Sequence, residues 1–364
     1  MNSLTLLALR GVQAEREYFV TVCPLKYLPR LFLFDEKELP AEVRAQRVLN
    51  AARVPEIARY LTENQSTYVL SAITASIDAD VSFEPLTESL TGGTVGKLVV
   101  PLTARLLIND GQHRRAAVER ALEERPELGE ETIGVIFFLD AGLERSQQMF
   151  ADLNRHAVRP TRSLGILYDH RDPLAALARQ IAATVDPFKG RTEMEKTSLS
   201  HRSTKLFTLS AIYQALRALL RQGAKEAVTP EALDVAVEYW AEVGTLIRSW
   251  GFVGPNVSSA DLRRDYLHTH AVALHALGVA GASLVTACPD DWKERLARLR
   301  TVDWSRSNTA LWEGRALRNG RVSKAGPSVT LTATVLKGKL ELPLSPEEEQ
   351  LEADFARGEQ RDAA

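Results

Sequence analysis

Cysteine is nearly absent from this chain of 364 residues: Cys23 and Cys288 are its only two, and neither has a partner at C-x-x-C spacing. That excludes a cysteine-built zinc site and a disulfide framework, and it fits a reducing compartment. Net charge is almost absent too. The 45 Lys and Arg against 47 Asp and Glu leave a formal charge of −2, so any hold on nucleic acid must come from local clustering of cations. No apolar run approaches the roughly 20 residues that span a bilayer. The short apolar stretch in residues 1–12 runs into Glu15, Arg16 and Glu17 with no small-residue cleavage site. The expectation is a cytoplasmic protein without a membrane partner. Also missing are G-x-x-x-x-G-K-[ST], G-x-S-x-G and H-E-x-x-H, which removes the P-loop, nucleophile-elbow and zincin classes. His268, His270 and His275 stand two and five residues apart. Neither spacing sets a pair on one helix face, so packing histidines and no metal site are expected.

What is present is ample core material, 45% hydrophobic residues with 25% charged, in a length that suggests two domains. Residues 18–34 and 68–86 are rich in branched and aromatic side chains and read as extended, while 40–65 carry apolar residues at helical spacing. Residues 97–109 read as buried strand material and 132–140 as a strand buried on both faces. Beyond Pro160 the pattern is mainly helical, with helices expected at 174–185, 206–222, 229–250, 261–284 and 290–300. Asp172–Pro173 and Thr229–Pro230 have the chemistry of helix starts. Residues 327–342 read as β material or a strand-turn-helix close, and the acidic tail from Ser345 is expected to fray.

The segment 107-LINDGQHRRAAVERAL-122 changes period in mid-course, from an extended apolar run to a helical stripe of Ala116, Ala117, Val118, Ala121 and Leu122. The junction therefore lies at a helix N-terminus, where backbone N–H groups lack intrahelical partners and the macrodipole is positive. Gly111 allows close backbone approach, and His113 and Arg114 add donors suited to phosphate oxygens. Asp110 would repel a phosphate. It suits a metal ligand, a proton acceptor or a helix cap. Two more clusters carry cations. Residues 154–172 hold Arg155, Arg159, Arg162 and Arg171 with only Asp169 and Asp172 as acids. Residues 189–205 mix Lys189, Arg191, Lys196, Arg202 and Lys205 with serine and threonine hydroxyls. Such loops suit the phosphates of a nucleotide or a nucleic-acid backbone, and they equally suit a solvated surface.

Residues 110–114, DGQHR, resemble the signature of the DGQHR-domain proteins, specifically the DndB family associated with DNA phosphorothioate modification. Further segments resemble that family in the same order: 54-VPEIARYLTEN-64, 69-VLSAITASID-78, 149-MFADLNRHAVRPTRSLGILYDHRDPLA-175, 196-KTSLSHRSTKLFTLSAI-212 and 303-DWSRSNTALWEGRA-316. The resemblance implies an α+β protein. A ParB/sulfiredoxin-like DGQHR domain would occupy residues 1–160, a mainly helical domain 161–325, and a β or tail segment 326–364. It implies a regulator that binds double-stranded promoter DNA of the modification gene cluster, alongside other DNA-modification proteins and compatible with a homo-oligomer. Arg159, Arg162, Arg171, Lys189, Arg191, Lys196, Arg202 and Lys205 are the expected DNA contacts. The alternative it implies is a non-P-loop ATPase using ATP and Mg2+. There Asp110, His113 and Arg114 would be catalytic, and Gly111, Gln112, Asn154 and Arg155 would bind the nucleotide phosphates.

Overall fold

The computed structural model describes residues 3–32, 52–86, 94–139, 148–149, 151–153, 160–222, 227–253 and 257–362. The chain divides into two compact units, Met1–Val158 and Arg159–Ala364. Together they make an α+β protein.

The first unit is built on a seven-stranded, mostly antiparallel sheet. Its strands are β1 (Ser3–Gln13), β2 (Arg16–Pro24), β3 (Ile73–Asp78), β4 (Ser82–Pro85), β5 (Val95–Pro101), β6 (Arg105–Asp110) and β7 (Thr132–Leu139). Their order across the sheet is β4-β5-β1-β2-β7-β3-β6. Two helices, α1 (Arg53–Glu63) and α2 (Gln112–Glu124), pack on each other and contribute Ala58, Leu61, Ala117, Val118 and Ala121 to the core of this unit. The sheet contributes Phe19, Ile73, Ala75, Ile77, Leu98, Ile108, Val135 and Phe137 to the same core. Alternation along the strands separates this face from the other, where Leu7, Leu9 and Val22 are exposed.

One expectation changes here. Along β7 the residues Ile133, Val135 and Phe137 are buried while those between them are half-exposed, so the run is buried fully on one face. Its hydrophobic continuity comes instead from a position inside the sheet, between β2 and β3. Strand β6, helix α2 and strand β7 follow one another along the chain, but β6 and β7 are not neighbours in the sheet. Strand β3 lies between β6 and β7, antiparallel to the first and parallel to the second.

The second unit is helical: α3 (Arg162–Tyr168), α4 (Pro173–Thr184), α5 (Leu209–Leu220), α6 (Pro230–Leu246), α7 (Ser259–Asp265), α8 (Ala271–Ala287), α9 (Gly326–Lys339) and α10 (Pro346–Asp362), with shorter turns between them. A two-residue parallel pair, β8 (Thr192–Glu193) with β9 (Phe207–Thr208), closes the loop that connects them. The expected caps form: the side chains of Asp172 and Thr229 accept from the amides of Leu174 and Ala232. The helix expected over 261–284 is two helices, because residues 266–270 break the run and His270 becomes the N-cap of α8. Helix α8 is apolar almost all round and packs between α5 and α9 as a core helix. A Cβ at Gly278 would overlap the Ala215 carbonyl oxygen, so glycine is what lets α8 approach α5 this closely.

The β or frayed segment expected over 326–364 is helix instead. Thr330, Thr332 and Thr334 are β-formers by propensity, yet burial along α9 outweighs that preference. Their hydroxyls donate to carbonyls one turn back, Thr332 to Ser328 at 2.6 Å and Thr334 to Leu331 at 2.8 Å. Helix α10 is fixed by a capping box in 345-SPEE-348. The Glu348 amide donates to Ser345 Oγ at 3.3 Å, and the Ser345 amide donates to the Glu348 carboxylate at 2.9 Å. Lys337 of α9 pairs with Glu348 at 2.6 and 2.7 Å, almost fully buried. Arg315 pairs in fork fashion with Glu352, and its guanidinium lies 4.4 Å from the centre of the Phe355 ring.

Candidate functional site

At the end of β6 the sequence forces a sharp change of direction. The ladder with β3 shifts register between Thr74 and Ala75, opposite the strand's last residues, a bulge that re-aims the chain as it leaves the sheet. Gly111 then takes φ 114° and ψ 12° as the N-cap of α2, and no side chain caps that helix. Left-handed φ favours glycine, and here a Cβ would also stand 2.9 Å from Ile73 Cγ1 and 3.1 Å from Arg114 Nη2.

The five motif residues take separate tasks. Gln112 turns inward, 5% exposed, and donates to the carbonyls of Ile108 at 3.1 Å and Asn109 at 3.3 Å. It thereby stitches the helix start to the strand end. Arg114 folds back over Gly111. Its Nη2 donates to Asp110 Oδ2 at 2.7 Å and to the Ala72 carbonyl at 3.2 Å, and Nη1 donates to Ser71 Oγ. Asp110 therefore has a partner inside the motif, an i,i+4 ion pair that joins strand to helix across the turn. His113 is half-buried on the first turn of α2. Below the motif, buried Asn109 donates to Ser76 Oγ at 2.6 Å, while its own Oδ1 is buried without a hydrogen-bond partner.

Among the other residues singled out by sequence, Asn154, Arg155 and Arg159 lie outside the described residues. The rest divide by use. Arg191 Nη1 donates to the Trp250 carbonyl at 2.6 Å, and Lys205 Nζ donates to the Gly190 carbonyl at 2.7 Å. Both brace the loop from within the second unit. Arg162, Lys189, Lys196, Arg202 and Arg171 are exposed. The hydroxyls of Thr161 and Ser163 donate to the carbonyls of Glu195 and Lys196, which brings Arg162 beside Lys196. Among the described residues, Arg162, Lys189, Lys196 and Arg202 form no ion pair.

Sequence reasoning passed over a third group. Arg263, Arg306 and Lys324 come from distant segments yet line one cavity with the 197–208 loop. The paired arginines of 261-DLRRD-265 and the arginine of 303-DWSRSNTALWEGRA-316 were the available signals.

The histidines nearby are packing residues with a measurable effect. His268 is 1% exposed, bonded through Nε2 to Ser249 Oγ at 2.8 Å and stacked on Tyr266 between Trp250 and Trp304. Burial, with His270 adding, pushes its pKa down to about 3. Burial and then the cations Arg306, Lys324 and Arg263 push His270 down to about 4, against the opposing bond to the Arg263 carbonyl. Both fold as neutral imidazoles and take protons only when unfolded, near pH 6.5. The unfolded state binds more protons below that pH, so stability is complete above it and falls toward the folded values. Urea unfolding of the second unit at pH 5.5 should show about 2 kcal/mol less stability than at pH 7.5. Equal stability at the two pH values would contradict this account.

A protein-family model described as DNA-sulfur modification-associated matches residues 6–343, nearly the whole chain. No curated protein and no solved structure matches.

Proposed function

The chain belongs to the DndB family of DNA-sulfur modification-associated proteins, and from that premise we propose that it binds double-stranded DNA and regulates the genes of its modification system. The observation that carries the reading is the set of exposed cations Arg162, Lys189, Lys196 and Arg202, which form no ion pair among the described residues. The loop that carries Lys189, Lys196 and Arg202 is held in shape by the β8–β9 pair and by the Arg191 and Lys205 bonds, and Arg162 stands at the start of α3. Charges held on a braced loop can meet backbone phosphates at little ordering cost. Contact with phosphates releases counterions, so affinity must fall with salt, with a log–log slope of about 0.9 per phosphate neutralised. Replacing the four cations with alanine should weaken promoter binding and flatten that slope by about 3 to 4 units. Wild-type affinity and slope in the quadruple variant would remove this loop from the interface.

A second reading, nucleotide hydrolysis at residues 110–114, is favoured by one feature, the helix end at Gly111 that no side chain caps. Asp110 and Arg114 neutralise each other there, so a phosphate would have to displace the aspartate from the arginine. Among the described residues no cluster of three His, Cys, Asp or Glu side chains is placed to hold a metal ion. Asp110 thus brings one carboxylate rather than a ready Mg2+ cage. The same DNA titrations run with ATP and Mg2+ decide between the readings. Phosphate release that disappears in Asp110→Ala supports hydrolysis, and no release by wild type, with or without promoter DNA, eliminates it.

A further inference from the structure

The second unit contains a cavity of about 310 Å3 between the 197–208 loop, α7, the start of α8, and the Arg306 and Lys324 segments. Four cations line it, Arg263, Arg264, Arg306 and Lys324, and no carboxylate among the described residues does. One of the four is balanced: Arg264 pairs with Asp261 and Asp265 at 2.8 Å. The other two arginines are held by backbone carbonyls, which fix a guanidinium without cancelling its charge, and Arg306 also interacts with the Asp265 carboxylate. Arg263 donates to the carbonyls of Lys205 and Ser200, and Arg306 to those of Arg264 at 3.1 Å and Gly320 at 2.9 Å. Lys324 is exposed at the rim and has no ion pair among the described residues. The 17-residue helix α8 begins at the cavity wall, with His270 as its N-cap and no side chain capping it. Thr197, Ser198, Thr208 and Thr269, with His201, complete the polar lining.

We propose that this cavity is a phosphate-binding site that takes the terminal phosphate of a small phosphomonoester, a free nucleotide being the chemical class that fits. Pre-positioned guanidinium groups, hydroxyl donors and a helix N-terminus are together the groups that recognise a phosphate dianion. The volume lies at the lower end for small-molecule sites. Leu206 and Phe207 are buried in the wall, so the site is a recess. A duplex backbone phosphate carries one charge and a sugar on each side, and it cannot enter such a recess. A terminal phosphate carries up to two charges and enters end-on. This site lies apart in sequence from residues 110–114, and although its 197–208 loop adjoins Lys196 and includes Arg202, none of the four cations of the DNA reading lines it.

The test is calorimetric titration of the full chain, without DNA, with inorganic phosphate, ATP and adenosine at low salt. Phosphate and ATP should bind saturably and adenosine should not. Tighter ATP binding would identify a nucleotide as the ligand, and equal binding would identify the free anion. Arg306→Ala and Lys324→Ala should each weaken binding by about tenfold or more, while Lys97→Ala, an exposed lysine of the first unit, leaves it unchanged. Lys324 sits at the rim, so its variant folds even where Arg306→Ala does not. No saturable phosphate or ATP binding by wild type overturns the proposal. So does unchanged binding in Lys324→Ala, or loss of duplex DNA binding as the only effect of that variant.

Discussion

Gly111→Val is expected to destabilise the first unit by about 3–4 kcal/mol. Two costs combine. Valine is forced to φ 114°, where a β-branched residue is strained. Its Cβ also meets Ile73, which is completely buried in the sheet core, and the Arg114 guanidinium that covers the turn. Neither neighbour has room to retreat, because Ile73 belongs to a strand paired on both sides and Arg114 is tied to Asp110, Ser71 and Ala72. Urea melts of wild type, Gly111→Ala and Gly111→Val should rank in that order. A valine variant within about 0.5 kcal/mol of wild type, the range of ordinary surface substitutions, would mean that the turn is not held by these contacts.

Lys337→Ala should cost about 3–5 kcal/mol, because it leaves the Glu348 carboxylate buried without its cation. The Ser345 amide remains as a donor to Glu348, which is too little to compensate a charge. Replacing both partners, Lys337→Met with Glu348→Leu, should recover most of the loss, since a well-packed apolar pair avoids the desolvation of two ions. Thermal and urea unfolding of the single and double variants check this. If the double variant is no more stable than Lys337→Ala, the damage is not an orphaned charge. Loss of this contact should free α10 first, which limited proteolysis would show as early trimming of the C-terminal helix.

The sequence makes the DGQHR junction legible because the hydrophobic period switches from extended to helical at a glycine. It does not reveal that the aspartate and arginine face each other. That depends on Arg114 folding back over a turn whose shape is set by the bulge opposite, in β3. The charged loops show a similar limit. Lys189, Arg191, Lys196, Arg202 and Lys205 look alike in sequence, yet Arg191 and Lys205 donate inward to carbonyls while the others face solvent. Only the path of the chain between 190 and 207 separates them. The helix at Gly326–Lys339 was hidden by its threonines and valines, whose β preference yields to burial around most of the helix. The helix after it was also missed, although 345-SPEE-348, a serine-to-glutamate cap, was a signal against a fraying tail. The cavity was not legible. Its cations are spread from Arg263 to Lys324, and nothing but the fold brings them to one wall.

The place of β7 has a consequence for how the protein is made. It is the last of the seven strands in sequence, yet it lies inside the sheet, paired with β2 on one side and β3 on the other. During synthesis β1 and β2 can form a hairpin as soon as they emerge, but β2 then shows an open inner edge until Leu139 is made. At about 5–20 residues per second, that wait is on the order of ten seconds. For that interval the nascent chain carries an unpaired apolar strand edge, and this is the stage at which a chaperone has most to protect.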